Sequence, residues 1–600
     1  MIEKSATAVQ AGALCGLEEP DGKVLFSHPL PHSLSLAAHQ FSLCSSFLWL
    51  LFPRGPEILE PPDAMKREVV AIVGGIAALA QVAEAAYVWP SKYDEIEDIL
   101  SLQTGYRSRG FVEGVTPCSF GGNIAGRQFA AEWIRTAFHD VATTDAAAGA
   151  GGLDGSIWFE LDRTENGGAA FNNTFSFFSN LYSVRASASD LLAMSVVVAN
   201  AGCGGARMPF RAGRIDAVEA GPAGVPEPDT PMDTTRSTFA KAGFSESEMI
   251  ALVACGHTLG GVHSRNNPHI TGLDPTPDTV TKFDSTFDDF DNKIATEYLK
   301  GNTSNPLIVG KNETLNSDKR IFASDGNKTI QDLGCTKNGF KTACADVFTR
   351  MIDTVPSAVQ LTEPIEAVDI KPYVGLSLGE NGSIAFSGRV RVRTTEGTGR
   401  DVSDLTVHLS FADRNGEGTV TVPTTLDEGG VTYGLWGETF VWYQFETVIP
   451  AANGISKFLI HLTNPSANAT TVYRNGGGSG YPLDDSLLYQ ASASCVDRTS
   501  VNNERTFTVT AAVREDRAAD PVKIELVRLV RRQGIIHRQL VVETVDLAAT
   551  ADEGESGYVT FQGQIQLPTN GWSTSFDLVL GGGEKEVRLD FLKTQTCPRV

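Results

Sequence analysis

The feature that most constrains this chain is a change of hydrophobic period near residue 360. Before it, apolar residues recur at helical spacing over Phe129–Asp140, Ala188–Asn200, Ser245–Cys255, Lys293–Lys300 and Ala343–Val355, as amphipathic helices require. Gly-, Asp-, Pro- and Thr-rich loops separate them. After it, β-branched residues alternate over Ile384–Val392, Leu405–Phe411, Thr439–Val448, Thr506–Val513 and Lys523–Leu529. Turn clusters such as Asn415-Gly416 and Gly476–Gly478 punctuate these strands. One hydrophobic core does not grow to 600 residues. The expected architecture is therefore a mainly α domain over 86–360 and an all-β region after it.

The β region repeats itself. Phe386–Arg393, a polar turn, Leu405–Phe411 and Arg414-Asn415-Gly416 are echoed by Phe507–Arg514, a turn, Ile524–Leu529 and Arg532-Gln533-Gly534. Two β-sandwich-like modules are expected, over 366–490 and 491–600. Trp436, Trp442 and Tyr443 have two readings there, as rings that stack on polysaccharide or as core.

The first 85 residues read differently. Met65-Lys66-Arg67 opens a basic start, Val69–Val82 is apolar, and Ala83-Glu84-Ala85 supplies small residues for cleavage. This is the form of a secretory signal peptide over 65–85, with 1–64 as a non-native or disordered extension. The apolar run is short for a membrane span, so none is expected in the mature chain. Sequons at Asn172, Asn302, Asn312, Asn327, Asn381 and Asn468 suit export. A net charge of −23 argues against nucleic acid as a partner. In an oxidising compartment Cys335–Cys344 and Cys495–Cys597 are the expected disulfides, with Cys118–Cys203 a candidate third. With Cys15 and Cys44 lost along with residues 1–85, that leaves Cys255 as a buried thiol in an apolar run.

Catalysis is sought in the helical part. Arg135 and His139 lie four apart in Ile134-Arg135-Thr136-Ala137-Phe138-His139-Asp140, so one helix face presents both. A guanidinium beside a neutral imidazole suits peroxide. The imidazole moves a proton between the two oxygens, and the cation stabilises the charge that develops as their bond breaks.

At these residues the sequence resembles the plant, fungal and bacterial haem peroxidase superfamily, over roughly 100–356. Arg135, Phe138 and His139 match the family's Arg-x-x-Phe/Trp-His distal motif. The resemblance implies that Asn166 orients His139 and that Glu160 supports Asn166. The segment Leu252-Val253-Ala254-Cys255-Gly256-His257-Thr258-Leu259-Gly260-Gly261-Val262-His263 looks like the proximal segment. It implies that His257 is the axial ligand of a haem b iron, with Asp318 as its carboxylate partner and His263 at a propionate. Two calcium ions are implied as well. The distal set is Asp140, Gly152, Asp154 and Ser156; the proximal set is Thr258, Asp284, Thr286 and Asp291. Oxygen donors of these kinds suit a hard cation, and a monovalent ion is an alternative at the proximal loop.

The departures narrow the electron donor. The manganese-oxidising branch uses three acidic positions, which here hold Gln128, Glu132 and Gly260. The surface Trp of the lignin-oxidising branch falls at Leu252, and the proximal Trp of the cytochrome-c branch near Leu273. Nine residues after His257, where the ascorbate branch has Arg, stands Asn266, with Arg265 beside it. Trp89, Trp133 and Trp158 are either core or an electron relay. The resemblance thus implies a secreted fungal enzyme of hybrid ascorbate/cytochrome-c-peroxidase-like type, taking hydrogen peroxide and a small phenolic-type donor. The contrasting expectation is a non-enzymatic haem-binding or cell-wall-binding protein on a peroxidase-like scaffold.

Overall fold

A computed structural model describes residues 87–123, 126–535, 537–550 and 557–599. The signal peptide expected at 65–85 and the extension 1–64 lie outside the described residues. The helices follow the apolar period, and three of the long ones start at a capping side chain. Ser245 and Glu248 form a reciprocal capping box at Glu246–Gly256, Ser187 caps Ala188–Gly202, and Thr336 caps Lys337–Ile352. Ala188–Gly202 is buried on nearly every face, and Phe129–Val141 packs against it. Among the described residues no helix is long and apolar enough to cross a membrane.

Three disulfides tie the described chain: Cys118–Cys203, Cys255–Cys344 and Cys495–Cys597. The expected Cys335–Cys344 pair is therefore not formed, and Cys255 is not a thiol. Cys344 sits on the buried face of Lys337–Ile352, which packs against Glu246–Gly256, so its sulfur meets Cys255. Cys335 ends the preceding helix, off that face.

The β region forms two sandwiches. In the first, the sheet containing Ile370–Leu378, Ser383–Arg393 and Thr439–Pro450 faces one containing Thr406–Ala412, Lys457–Asn464 and Ala469–Tyr473. Phe386, Val390 and Val392 from one sheet meet Leu409, Phe411 and Ile460 from the other in a single core. In the second, Glu504–Arg514 pairs with Tyr558–Pro568 and faces Val522–Val530 and Ser575–Leu580. The repeated sequence segments thus hold equivalent central places. Asp485 joins the modules, bound to Arg414 of the first and Arg514 of the second. Strand Leu487–Tyr489 pairs with Glu504–Arg514 and so belongs to the second.

Trp442 is 1% exposed and donates Nε1–H to Thr432 Oγ1 at 2.9 Å. Tyr443 is buried, and Trp436 packs against the helical core. Of their two readings, the structure takes core. Trp133 and Trp158 are buried too.

The helical part does not merely adjoin the sandwiches. Thr104–Gly105 adds a short strand to the first sandwich through Thr432–Tyr433. From the helix Asp94–Ser101, Glu97 and Asp98 enter a buried ion cluster. Lys371 Nζ lies 2.9 Å from each carboxylate, and Arg391 binds Glu97 at 2.6 Å and Asp98 at 3.0 Å. From the second sandwich, His537 inserts among Trp158, Phe175 and Tyr182.

Candidate active site

The helix Phe129–Val141 sets Arg135 and His139 one turn apart. His139 Nδ1 is 2.9 Å from Asn166 Oδ1. Asn166 Nδ2–H donates to the backbone carbonyl of Glu160 at 3.0 Å, which turns its oxygen toward the imidazole. Nδ1 of His139 therefore carries the proton and Nε2 keeps its lone pair. Glu160 supports Asn166 through its carbonyl; its carboxylate instead accepts from Gly221 N and pairs with Arg163. Burial, helped by the nearby Arg135 charge, pushes the His139 imidazole down to about 3.

Arg135 has no ion-pair partner among the described residues. Its guanidinium reaches the Gly167 carbonyl at 3.3 Å and lies over the Phe171 ring at 4.7 Å. Burial lowers it to about 10, so it remains a cation at neutral pH. Phe138 lies edge-on to the His139 ring at 6.0 Å and lines a small apolar cavity with Val141, Phe239, Leu252 and Met351.

His257 caps the C-terminus of Glu246–Gly256. Its Nδ1 lies 2.9 Å from Asp318 Oδ2, and Asp318 is fully buried at the start of the helix Ser317–Phe322. The carboxylate accepts the Nδ1 proton, leaving Nε2 as a free donor atom for a metal. The helix Glu246–Gly256 packs against Phe129–Val141, and just past its end Gly260 has φ +79° and leaves room for no Cβ, which would lie 2.7 Å from Ala131 Cβ. A basic imidazole with a carboxylate behind it, on a helix packed against one bearing an uncompensated cation and a neutral base, is a donor set that fits haem and peroxide.

A family model described as peroxidase matches residues 122–332, which contain Arg135, His139, Asn166, His257 and Asp318. L-ascorbate peroxidase 5, peroxisomal, of Arabidopsis thaliana is 32% identical over 200 residues, 33% of this chain and 68% of that protein. This chain belongs to the haem peroxidase family. L-ascorbate peroxidase 2, cytosolic, of the same plant is 29% identical over 221 residues, 35% of this chain and 83% of that protein. A WSC domain-containing protein of Arthroderma benhamiae is 42% identical over 393 residues, 64% of this chain. The chain spans about half of that protein, 54% of its length.

Two residues of the peroxidase site escaped sequence reasoning. The ring beside the axial-ligand candidate is Phe283, stacked on His257 at 4.3 Å and 13°. Leu273, expected there, is 46% exposed. The hairpin of Gly261–His263 with Val280–Lys282 displaces the alignment, because its loop carries the chain away and back. The second is Asn305, fully buried, whose Nδ2–H donates to Asp318 Oδ2 at 2.8 Å. Its one sequence signal is that Asn before Pro306 starts a helix.

His263 holds Asp278 at 3.0 Å through Nδ1, leaving Nε2 free. Glu132 is bound in two places by Arg127, both at 2.9 Å, so the one acidic residue of the manganese positions already has a counter-charge.

In the distal loop Asp140 accepts backbone N–H from Asp154, Gly155 and Ile157, and Ser156 N donates to Asp154 Oδ1. Burial, then the nearby Asp154, drives the Asp140 carboxyl well above its ordinary range. In the proximal loop Thr258 Oγ1 donates to the Asp291 carbonyl and Thr286 Oγ1 to the Asp291 carboxylate. Asp284 Oδ2 is buried with no hydrogen-bond partner among the described residues. Burial, then Asp291 and Glu297, pushes Asp284 up to about 7. Among the described residues no three His, Cys, Asp or Glu side chains form a metal cluster. The orphaned Asp284 oxygen is the kind of donor a hard cation takes.

Proposed function

We propose that this peroxidase is extracellular, that it reduces hydrogen peroxide to water, and that it takes one electron from each of two small phenolic-type donors. The observation that carries the reading is two hydrogen-bonded histidines on helices that pack together, His139 with Asn166 and His257 with Asp318. His257 Nε2 would hold haem b, and bound haem supplies the redox chemistry. His139 Nε2 takes the proton from the nearer peroxide oxygen and returns it to the farther one, which leaves as water. Arg135, a cation at neutral pH, stabilises negative charge on that departing oxygen. Asn166 keeps His139 in the tautomer this requires, and Asp318 keeps His257 electron-rich.

The donor assignment rests on what the site lacks. Position 266 is Asn, Glu132 is neutralised by Arg127, and Leu252 occupies the surface-tryptophan position. A small aromatic donor needs none of those groups. Export is supported by the signal-like segment 65–85 and by the exposure of five of the six sequon asparagines; Asn327 is half-buried and accepts from Tyr298. Calcium in both loops is part of the same proposal, through Asp140, Gly152, Asp154 and Ser156 and through Thr258, Asp284, Thr286 and Asp291.

Rapid mixing of haem-loaded protein with peroxide tests the reading. The Soret band shifts within milliseconds and returns on adding a phenol; a band left unchanged by peroxide would remove the enzymatic reading. A phenol is oxidised faster than ascorbate, and the reverse order would overturn the donor assignment. Sequencing the N-terminus of secreted protein should begin just after residue 85.

A further inference from the structure

Asp318 Oδ2 accepts two hydrogen bonds, from His257 Nδ1–H at 2.9 Å and from Asn305 Nδ2–H at 2.8 Å. Which end of the Asn305 amide faces the carboxylate is decided by its other contact. Leu307 N–H donates to Asn305 Oδ1 at 2.8 Å, so that atom must be the oxygen. Asn305 N–H donates in turn to Thr303 Oγ1 at 3.1 Å, and the side chain is wholly buried. The donor is thus held in place before any ligand arrives. The ring stacked on His257, Phe283, has no polar hydrogen to offer the carboxylate.

We propose that Asn305 is a positioning residue that sets how strongly Asp318 draws on the His257 Nδ1 proton. This rests on the assignment of His257 as the iron ligand. A carboxylate oxygen that satisfies part of its charge on an amide is a weaker acceptor for a second donor on the same atom. Asn305 therefore makes His257 a less anionic ligand than Asp318 alone would make it. Ligand basicity and hydrogen bonding around an iron ligand set its reduction potential, so Asn305 holds the ferric/ferrous potential up.

A simpler role for Asn305 is to cap the four-residue helix Pro306–Val309. Two variants separate the roles. Asn305→Ser keeps a capping oxygen but is too short to reach Asp318; Asn305→Leu fills the space and excludes a replacement water. In haem-loaded protein both variants raise the iron–imidazole stretching frequency of the ferrous form and lower the ferric/ferrous potential. Asp318→Asn moves both readouts the opposite way. If Asp318→Asn moves them and both Asn305 variants stay at parent values, or shift with Asp318→Asn, the proposal is wrong and the site assignment stands. If Asp318→Asn also leaves both unchanged, the His257–Asp318 assignment fails, and the proposal with it.

Discussion

Asn166 Oδ1 faces His139 Nδ1 at 2.9 Å because its amide nitrogen is committed to the Glu160 carbonyl at 3.0 Å. The proton on the imidazole is thereby fixed at Nδ1, and the base points the other way. His139→Leu is expected to slow the peroxide-driven Soret change by on the order of 10²–10⁴, the loss typical of general acid–base catalysis.

The same pair sets a pH profile. Burial and Arg135 push His139 down to about 3, so the unprotonated base persists well into acid. The second-order rate constant with peroxide should be flat from pH 7 to about 4 and fall below that as His139 gains a proton. Stopped-flow measurements across this range check it; a midpoint near the ordinary 6.5 of histidine would contradict it.

The ion cluster between Asp94–Ser101 and the first sandwich should govern stability. Burial opposes charge on Glu97, but Arg391 and Lys371 beside it hold its carboxyl below the ordinary range. Glu97→Gln leaves buried cations short of a partner, a change that costs about 3–5 kcal/mol when a buried pair is broken. Urea denaturation of parent and variant measures the difference. Residues 366–600 expressed alone would expose Lys371, Arg391 and Trp442, and should be less soluble than the whole chain.

His537 ties the second sandwich to the helical part as a neutral ring, pushed down to about 4 by burial. Unfolded, it titrates near 6.5. Between those values the unfolded state binds the extra proton, so stability falls as pH drops from about 6.5 to about 4. The loss is on the order of 3 kcal/mol over that window. His537→Phe, which keeps an aromatic ring among Trp158, Phe175 and Tyr182, should flatten this part of a melting-temperature profile.

The unpartnered Asp284 oxygen predicts a response to chelation. Treating the protein with a calcium chelator should lower its melting temperature, and added calcium should restore it, since a ligand that binds only the folded state stabilises it. Asp284→Asn should melt lower than parent in calcium and respond less to the chelator. Equal responses would remove Asp284 from the cation site.

Much of the site was legible because its motifs are local. Arg135 and His139 share a face through helical spacing alone, and the distal loop's turn residues announce themselves. The Glu160–Asn166 relation was also visible, although only the structure shows that a carbonyl makes it. Phe283 and Asn305 were not legible, because each meets its partner across a stretch whose path no periodicity records. The apolar run around Cys255 revealed burial but not which sulfur lay opposite, and loop proximity to Cys335 was a poor guide for Cys344.

What the sequence by itself determined is the division into helical and β parts, the repeat within the β part, and the ordered peroxidase motifs. These follow from side-chain period and spacing, which act within a turn or a strand. Only the tertiary structure decided that Cys255 bonds Cys344, that Trp442 is core, that Phe283 stacks on His257 and that Asn305 shares Asp318. It also decided that both sandwiches are built into the helical part through Lys371, Arg391 and His537. Such pairings depend on where whole elements dock, and docking is set by the summed burial and charge of surfaces far apart in the chain.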